Sequence, residues 1–399
     1  MMRARRASPR AEILWPSPRA PAVGVVGVLM PPHTRQPTEH SLRLRNRPST
    51  QFVSDATRRS VEMNSRGPGP ASRAADPTAP RIRPEVGRYL ELNPDGAMRW
   101  DDTEALRRTT RDRALAVRGA LEPVFSSEDL DASGVPVRRV LPSPDAVDVL
   151  VWVHGGGWVH GDLDGYDGVA RSLANRARCA VVSVDYRLAP EHPFPAGLED
   201  VLRVLDWARS RYGAVAVGGD SSGGNLAAAA CLAARERQLD LAAQLLVYPV
   251  LDHGDSEYKA AFRRRYRGFV GQRDFGAAAC ERIAWLWDQY DPEGSHRDDP
   301  LAAPLRAAGL SGLPPATVIL AEHDVLRGEG ERYADRLRDA GVPVDLLAFP
   351  GQIHGFFQMA GVTPDARRAL DLAGDAIRKA LDSASPRPRT TLFDQGERR

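Results

Sequence analysis

The chain has 399 residues, 42% of them hydrophobic and 27% charged, the balance of a globular protein able to bury its own core. That balance excludes a wholly disordered chain, a collagen and a disulfide-stapled miniprotein, and no apolar run reaches the ~18 residues of a membrane-spanning helix. The net charge of +2 is unevenly spread: residues 1–80 hold 13 Arg against 5 acidic residues, and the remainder carries a net −6, so nothing global argues for nucleic acid.

Three cysteines, Cys179, Cys231 and Cys280, are too few and too widely spaced for a disulfide framework or a zinc site. They fit a reducing cytoplasm. Lys259 and Lys379 are the only lysines. We read the arginine bias as a property of the coding sequence, not of function.

In chain order, residues 1–83 form an Arg- and Pro-rich extension without a sustained apolar period, expected to be disordered. Its apolar run at residues 22–30 is short, follows several prolines and lacks a cleavage site, so export is not expected. Met63 is an alternative start, which leaves open whether residues 1–62 are made in the native protein. The folded domain is expected over residues 84–382, with a loose polar tail over residues 383–399. Within the domain, residues 86–92 and 103–121 read as helices. Buried strands are predicted over residues 149–153, 180–184, 214–217, 243–248, 316–320 and 344–349. Helices are predicted between and after them, over residues 165–177, 196–211, 223–237, 329–340 and 364–381. This alternation means an α/β fold with a mostly parallel sheet and helices on both faces. The sixty-odd residues from 252 to 313 include an aromatic helix at 277–290 and are too long for a connection, so they read as an insertion.

Gly219-Asp220-Ser221-Ser222-Gly223-Gly224 lies between a predicted strand and a predicted helix. G-x-S-x-G in that context is a nucleophile elbow, whose glycines leave room for a turn that crosses itself. The helix start places N–H groups near developing negative charge. His154-Gly155-Gly156-Gly157-Trp158 ends the strand at 149–153. Consecutive glycines let backbone N–H groups face inward, so Gly155, Gly156 and Gly157, with the N–H of Ser222, are candidates for an oxyanion hole. His154 reads as a brace for that loop.

A serine nucleophile needs a base, and the base an orienting acid, here in the order Ser, Asp or Glu, His. His354 follows the last predicted strand and Asp324 the one before it. Both fall at carboxyl ends of parallel strands, where sites in open α/β sheets form. His253 and His296 fall in the insertion, His323 shares the acid's own turn, and Glu322 is the weaker acid candidate. Trp158 and Phe356 flank the site motifs and are candidate pocket residues; equally, they could pack the core. Asp200 and Glu199 read as a structural polar network, and the Arg263-Arg264-Arg265 run as a solvated helix face.

HGGGW, Tyr186-Arg187-Leu188-Ala189-Pro190-Glu191-His192-Pro193-Phe194-Pro195-Ala196, GDSSGGN, Tyr248-Pro249-Val250-Leu251-Asp252 and the Asp324 and His354 segments carry a resemblance. The chain resembles the hormone-sensitive lipase-like, or bacterial type IV, carboxylesterases over residues 84–381. The resemblance implies an α/β-hydrolase fold with eight strands and a helical cap made of residues 84–121 and 252–313. It departs at Ser222, His160, Val325 and Gly328, where relatives commonly have alanine, an apolar residue, proline and an acid; no catalytic group is removed. The expected function is hydrolysis of short- to medium-chain carboxylic esters by Ser221, His354 and Asp324 through an acyl-enzyme. The partner is a small-molecule ester, with no nucleic acid, no stable membrane association, and no metal or cofactor called for. A symmetric dimer is the default for an assembly that the sequence leaves open. An amidase or deacetylase with the same triad is the main alternative. A non-catalytic ligand-binding member of the fold is the remote one, disfavoured by the presence of His354.

Overall fold

The computed structural model describes residues 81–93, 100–254, 256–266 and 275–384. Residues 1–80 of the extension expected over 1–83, Met63 among them, and the tail beyond residue 384 lie outside the described residues. The strands are β1 (Ser126–Asp131), β2 (Pro136–Leu141), β3 (Val149–Val153), β4 (Ala180–Val184), β5 (Val215–Asp220), β6 (Gln244–Val247), β7 (Ala316–His323) and β8 (Val344–Ile353). The helices are α1 (Pro84–Leu92), α2 (Thr103–Val117), α3 (Leu163–Ala177), α4 (Ala196–Arg209), α5 (Ser222–Glu236), α6 (Glu257–Arg265), α7 (Phe275–Tyr290), α8 (Arg327–Asp339) and α9 (Pro364–Ala384). The chain has an α/β-hydrolase fold built on one eight-stranded sheet in the order β1-β2-β4-β3-β5-β6-β7-β8. From β3 to β8 all neighbours are parallel, and β1 and β2 join antiparallel at one edge.

Apolar runs flag β3 to β7 because both sheet faces are covered there; β8, expected to be buried as well, is the sheet's other edge, and Asp345 and Ala348 are exposed on it. Alternate residues divide between two cores: Val149, Val151 and Val153 face the core of α4, α5 and α8, whereas Leu150 and Trp152 face that of α3 and α9. The antiparallel pair escapes such a reading. Glu128 lies opposite Arg139 and Asp129 opposite Arg138, ion pairs on an edge that charge protects from further pairing.

Element ends follow local chemistry. The helix expected to reach residue 121 stops at Val117, because Gly119 takes a φ of +75° and turns the chain away. The Asp162 and Asp102 carboxylates accept from the Gly165 and Ala105 N–H groups and start α3 and α2. Residues 81–83, placed in the extension by sequence, are tied to the body: the Arg83 N–H donates to the Gly351 carbonyl at 3.1 Å. The C-terminal helix likewise continues to Ala384, past the expected end of the domain.

Four helices flank the strands' carboxyl ends. α1 and α2 come from the start of the domain, and α6 and α7 from the segment between β6 and β7. α1 seats Val86 and Leu90 on Ile353. α6 is fastened by a buried ion pair, Lys259 Nζ to Glu329 Oε1 at 2.7 Å. The second oxygen of Glu329 accepts from the Leu251 and Asp252 N–H groups. The Arg263–Arg265 face of this helix is largely exposed, as its sequence suggested.

Candidate active site

β5 runs straight into α5, and the turn between them is Ser221. Its φ of 54° and ψ of −118° lie where a side chain is strained. The surroundings enforce it: the Ser221 N–H donates to the Val247 carbonyl at 2.8 Å, and its own carbonyl accepts from Val250. A Cβ on Gly223 would lie 2.0 Å from the Val153 carbonyl oxygen, so only glycine lets α5 cross β3 this closely.

The Ser221 Oγ is 3.0 Å from His354 Nε2, and His354 Nδ1 is 2.8 Å from Asp324 Oδ2. The three come from the ends of β5, β8 and β7, far apart in sequence and adjacent in the sheet's carboxyl-end crevice. Asp324 is buried, and its other oxygen accepts from the Leu326 N–H at 2.8 Å. Burial pulls the His354 pKa down, but the charge and hydrogen bond of Asp324, helped by Asp220, outweigh it and raise it above the ordinary imidazole value. The Tyr248 ring, 4.7 Å from that of His354, packs against it.

The rival groups are engaged elsewhere. His323 is buried, facing the Tyr266 hydroxyl with one nitrogen and the Arg81 carbonyl with the other. Glu322 accepts from the Gly351 N–H at 2.9 Å. His253 packs against Trp287 and His296 against Phe194.

The three glycines after β3 are not equivalent. The Gly155 N–H donates to Asp220 Oδ1 at 2.9 Å, so it is turned away from the serine hydroxyl. Gly156 and Gly157 border the cavity in front of Ser221, and neither N–H has an acceptor among the described residues. Gly156 has a φ of +127°, and a Cβ there would strike the His160 carbonyl, which closes the loop as a tight turn. Ser222, first residue of α5, has no acceptor within its helix for its N–H. His154 is buried and braces the loop, its ring 4.5 Å from that of Tyr186; burial lowers its pKa.

Asp220, which sequence analysis did not single out, anchors this loop. Besides Gly155, it accepts from the Tyr166 hydroxyl at 3.0 Å and from Gln358 at 3.3 Å. Burial raises its pKa to about 6, against the opposing pull of the Gly155 N–H and Tyr166. The signal available in the sequence was an acid inside the elbow motif itself, at a position that faces no solvent.

A cavity of about 280 Å³ opens in front of Ser221. Its apolar wall includes Leu90, Trp100, Ile283, Leu286, Val325 and Met359. Trp158 and Phe356 are not on it. Trp158 stacks on Tyr290 with ring centroids 4.1 Å apart, and Phe356 packs against Phe349 and Tyr248 in the core under the site. Both sit beside site motifs because the chain turns inward there, which sequence proximity does not distinguish from facing the cavity. Asp200 and Glu199 pair with Arg187, and Asp200 also with Arg203, a structural network as expected.

Residues 150–358 match the model of an α/β-hydrolase-fold family. The chain is 40% identical to the carboxylic ester hydrolase LipN of Mycobacterium tuberculosis over 249 residues, covering 58% of this chain and 64% of that protein. It is 36% identical to the carboxylesterase NlhH of the same organism over 317 residues, covering 76% of this chain and 97% of NlhH. Among solved structures, a hyperthermophilic esterase from the archaeon Pyrobaculum calidifontis superposes with a TM-score of 0.67 at 34% identity, over 75% of this chain and 98% of the esterase. With that likeness over about three quarters of its length, the chain belongs to the hormone-sensitive lipase-like, bacterial type IV carboxylesterase family of the α/β-hydrolase superfamily.

Proposed function

We propose that the protein is a serine carboxylesterase acting on short- to medium-chain esters, with Ser221 as nucleophile, His354 as base and Asp324 as its orienting acid. The observation that carries this reading is the continuous relay from the Ser221 hydroxyl through both nitrogens of His354 to Asp324. His354 Nε2 takes the hydroxyl proton as Oγ bonds to the ester carbonyl carbon. The carbonyl oxygen becomes an oxyanion, held by the N–H groups of Gly156, Gly157 and Ser222; each such donor is worth about 2.7–4 kcal/mol at the transition state. The alcohol leaves with the proton from His354, and an acyl-serine remains. Water then gives a proton to His354 and attacks the acyl carbon, releasing the acid and restoring the serine. Asp324 holds the tautomer with the proton on Nδ1 and stabilises the imidazolium. The cavity of about 280 Å³ suits a small ester.

Cytoplasmic location is part of this reading. Its support is that Cys179, Cys231 and Cys280 are free, buried thiols. Among the described residues no helix is long and apolar enough to cross a membrane. Fractionation of cells making the protein tests it.

Hydrolysis of p-nitrophenyl esters from acetate to palmitate, by wild type and Ser221→Ala in parallel, tests the activity. Serine-dependent turnover that peaks at short or medium chains is expected, with a loss of at least about 10⁴-fold in the variant. Turnover that survives in a folded Ser221→Ala protein refutes the assignment. Amide hydrolysis exceeding that of esters with matched acyl groups would replace it by the amidase reading.

A further inference from the structure

α2 and α7 line the cavity in front of Ser221, one with Thr110, Arg113 and Ala114, the other with Arg282 and Leu286. On the α2 side lies a second, much smaller cavity of about 60 Å³. The two share Thr110, Ala114, His160, Tyr166 and Gln358 in their linings, so they adjoin across one wall. Sites for organic ligands run to about 300–1,000 Å³, far above the smaller space. It has room for about two waters, at ~30 Å³ of liquid volume each.

The shared wall offers water its hydrogen bonds. The Thr110 hydroxyl donates to the Leu106 carbonyl of its own helix at 2.9 Å, which leaves the oxygen able to accept. Gln358 donates through its amide nitrogen to the Tyr166 hydroxyl and to Asp220, and its amide oxygen has no partner among the described residues. Nor have the ring nitrogens of His160. Desolvation, with His154, Arg107 and Arg282, pushes the His160 pKa down to about 3. The ring is therefore neutral near pH 7, with one donor and one acceptor nitrogen. In so small a space each lining group is within reach of a water. A water that donates to Thr110 and Gln358 and accepts from His160 has the usual complement of a buried one.

Both ends of this compartment lead somewhere. Arg111 and Asp162 complete its lining and pair at 3.5 Å, with the arginine side chain 48% exposed. A pair so open to solvent parts readily, which lets water exchange with the bulk. At the other end, Gln358 closes the 3-10 turn that begins two residues after His354, and both residues line the main cavity.

We infer that this side compartment holds and delivers the water that hydrolyses the acyl-enzyme, with His160, Thr110 and Gln358 as its hydrogen-bond partners. The inference rests on the ester-hydrolase reading and concerns its second step. While the acyl group occupies the space in front of Ser221, water crossing the shared wall past Gln358 arrives on the flank of His354. It gives a proton to His354 Nε2 as its oxygen bonds to the acyl carbon. The tetrahedral intermediate then expels Ser221 Oγ, which takes the proton back from His354, and the acid leaves. Acylation consumes no water, so these partners act on one half-reaction alone.

The test uses the full chain and saturating p-nitrophenyl acetate, whose activated leaving group lets the acetyl-enzyme build up. Acid-quenched samples are weighed by intact-protein mass spectrometry to give the acetylated fraction. The deacylation constant is kcat divided by that fraction, and the acylation constant is kcat divided by the remainder. His160→Leu/Thr110→Val removes two of the three partners at nearly constant bulk. In a double variant that melts as a folded protein, deacylation is expected to fall by at least about tenfold and acylation to change by less than about threefold. The acetylated fraction rises accordingly. If the double variant does not fold, Thr110→Val alone is read in the same way, with a fall in deacylation of about threefold. Unchanged deacylation overturns the inference. Equal falls in both constants overturn it too, because the residues would then shape the glycine loop and supply no water. Neither acetyl-enzyme nor serine-dependent turnover in the wild type would remove the esterase reading itself, and the inference with it.

Discussion

The strand-end centre and the helical wall opposite it face the same cavity but are held by different forces. At the strand ends, backbone groups are held directly: Ser221 is pinned through both its N–H and its carbonyl, the Gly155 N–H is tied to the Asp220 carboxylate, and Gly223 lies against β3 with no room for a methyl group. On the wall, α2 and α7 contribute side chains from helix faces, seated by side-chain contacts: Arg107 of α2 donates to the Val159 and Ala189 carbonyls and pairs with Glu191, and Trp285 of α7 packs on Trp100. The proposed chemistry thus sits where a displacement of a few tenths of an ångström would be ruinous. Along the wall, one side chain can change without moving the backbone.

Substitutions on either side should therefore fail differently. The largest effect after loss of the nucleophile is expected for Asp324→Asn, a drop in kcat of about 10⁴-fold with fold and KM nearly retained, because the amide no longer holds the correct His354 tautomer. A loss below tenfold would mean that another acid orients the histidine. Asp220→Ala comes next. It leaves the buried Gly155 N–H and Tyr166 hydroxyl without their acceptor, at about 1–3 kcal/mol each. The Gly155–Gly157 loop is then free to tilt, and kcat should fall about ten- to a hundredfold while KM moves little. Paired kinetics and thermal melts check it; unchanged kcat would show that the loop keeps its shape unaided.

The pH profile separates the two regions more finely. His354 must be neutral to accept the serine proton, so kcat/KM should rise with pH through a midpoint above the ordinary imidazole value, as the Asp324 pairing requires. The same raised pKa adds stability below the ordinary imidazole value, and this contribution fades as pH climbs through the shifted one. A rising limb below the ordinary value would contradict the pairing. Substitutions on the apolar wall should leave that midpoint in place. Of the substitutions considered, Leu286→Ala on that wall is expected to have the smallest kinetic effect. It should widen the cavity beside Gly157, move the preferred chain length upward and change kcat/KM for acetate esters about threefold, at about 2 kcal/mol of stability. An unchanged chain-length profile would place the acyl chain elsewhere.

The parts that could be read from the sequence share a cause. Strands buried on both faces announce themselves as unbroken apolar runs, and the elbow and glycine loop each depend on a few contiguous residues with steric requirements. Where the cause is not local, the reading failed. β1 and β2 are charged because they form an edge. Trp158 and Phe356 adjoin site motifs yet point into the core, and Arg113 and Arg282 reach the cavity only because their helices lie across it. Sequence by itself thus determined the layered α/β architecture, the serine and the candidate base and acid, since each is specified within a turn or a strand. Tertiary structure alone decided that His354 and Asp324 meet Ser221, and that Gly155 serves Asp220 while Gly156 and Gly157 face the cavity. It also decided which side chains line that cavity, because contacts between distant segments depend on how helices and strands pack, and packing leaves no periodic mark on the chain.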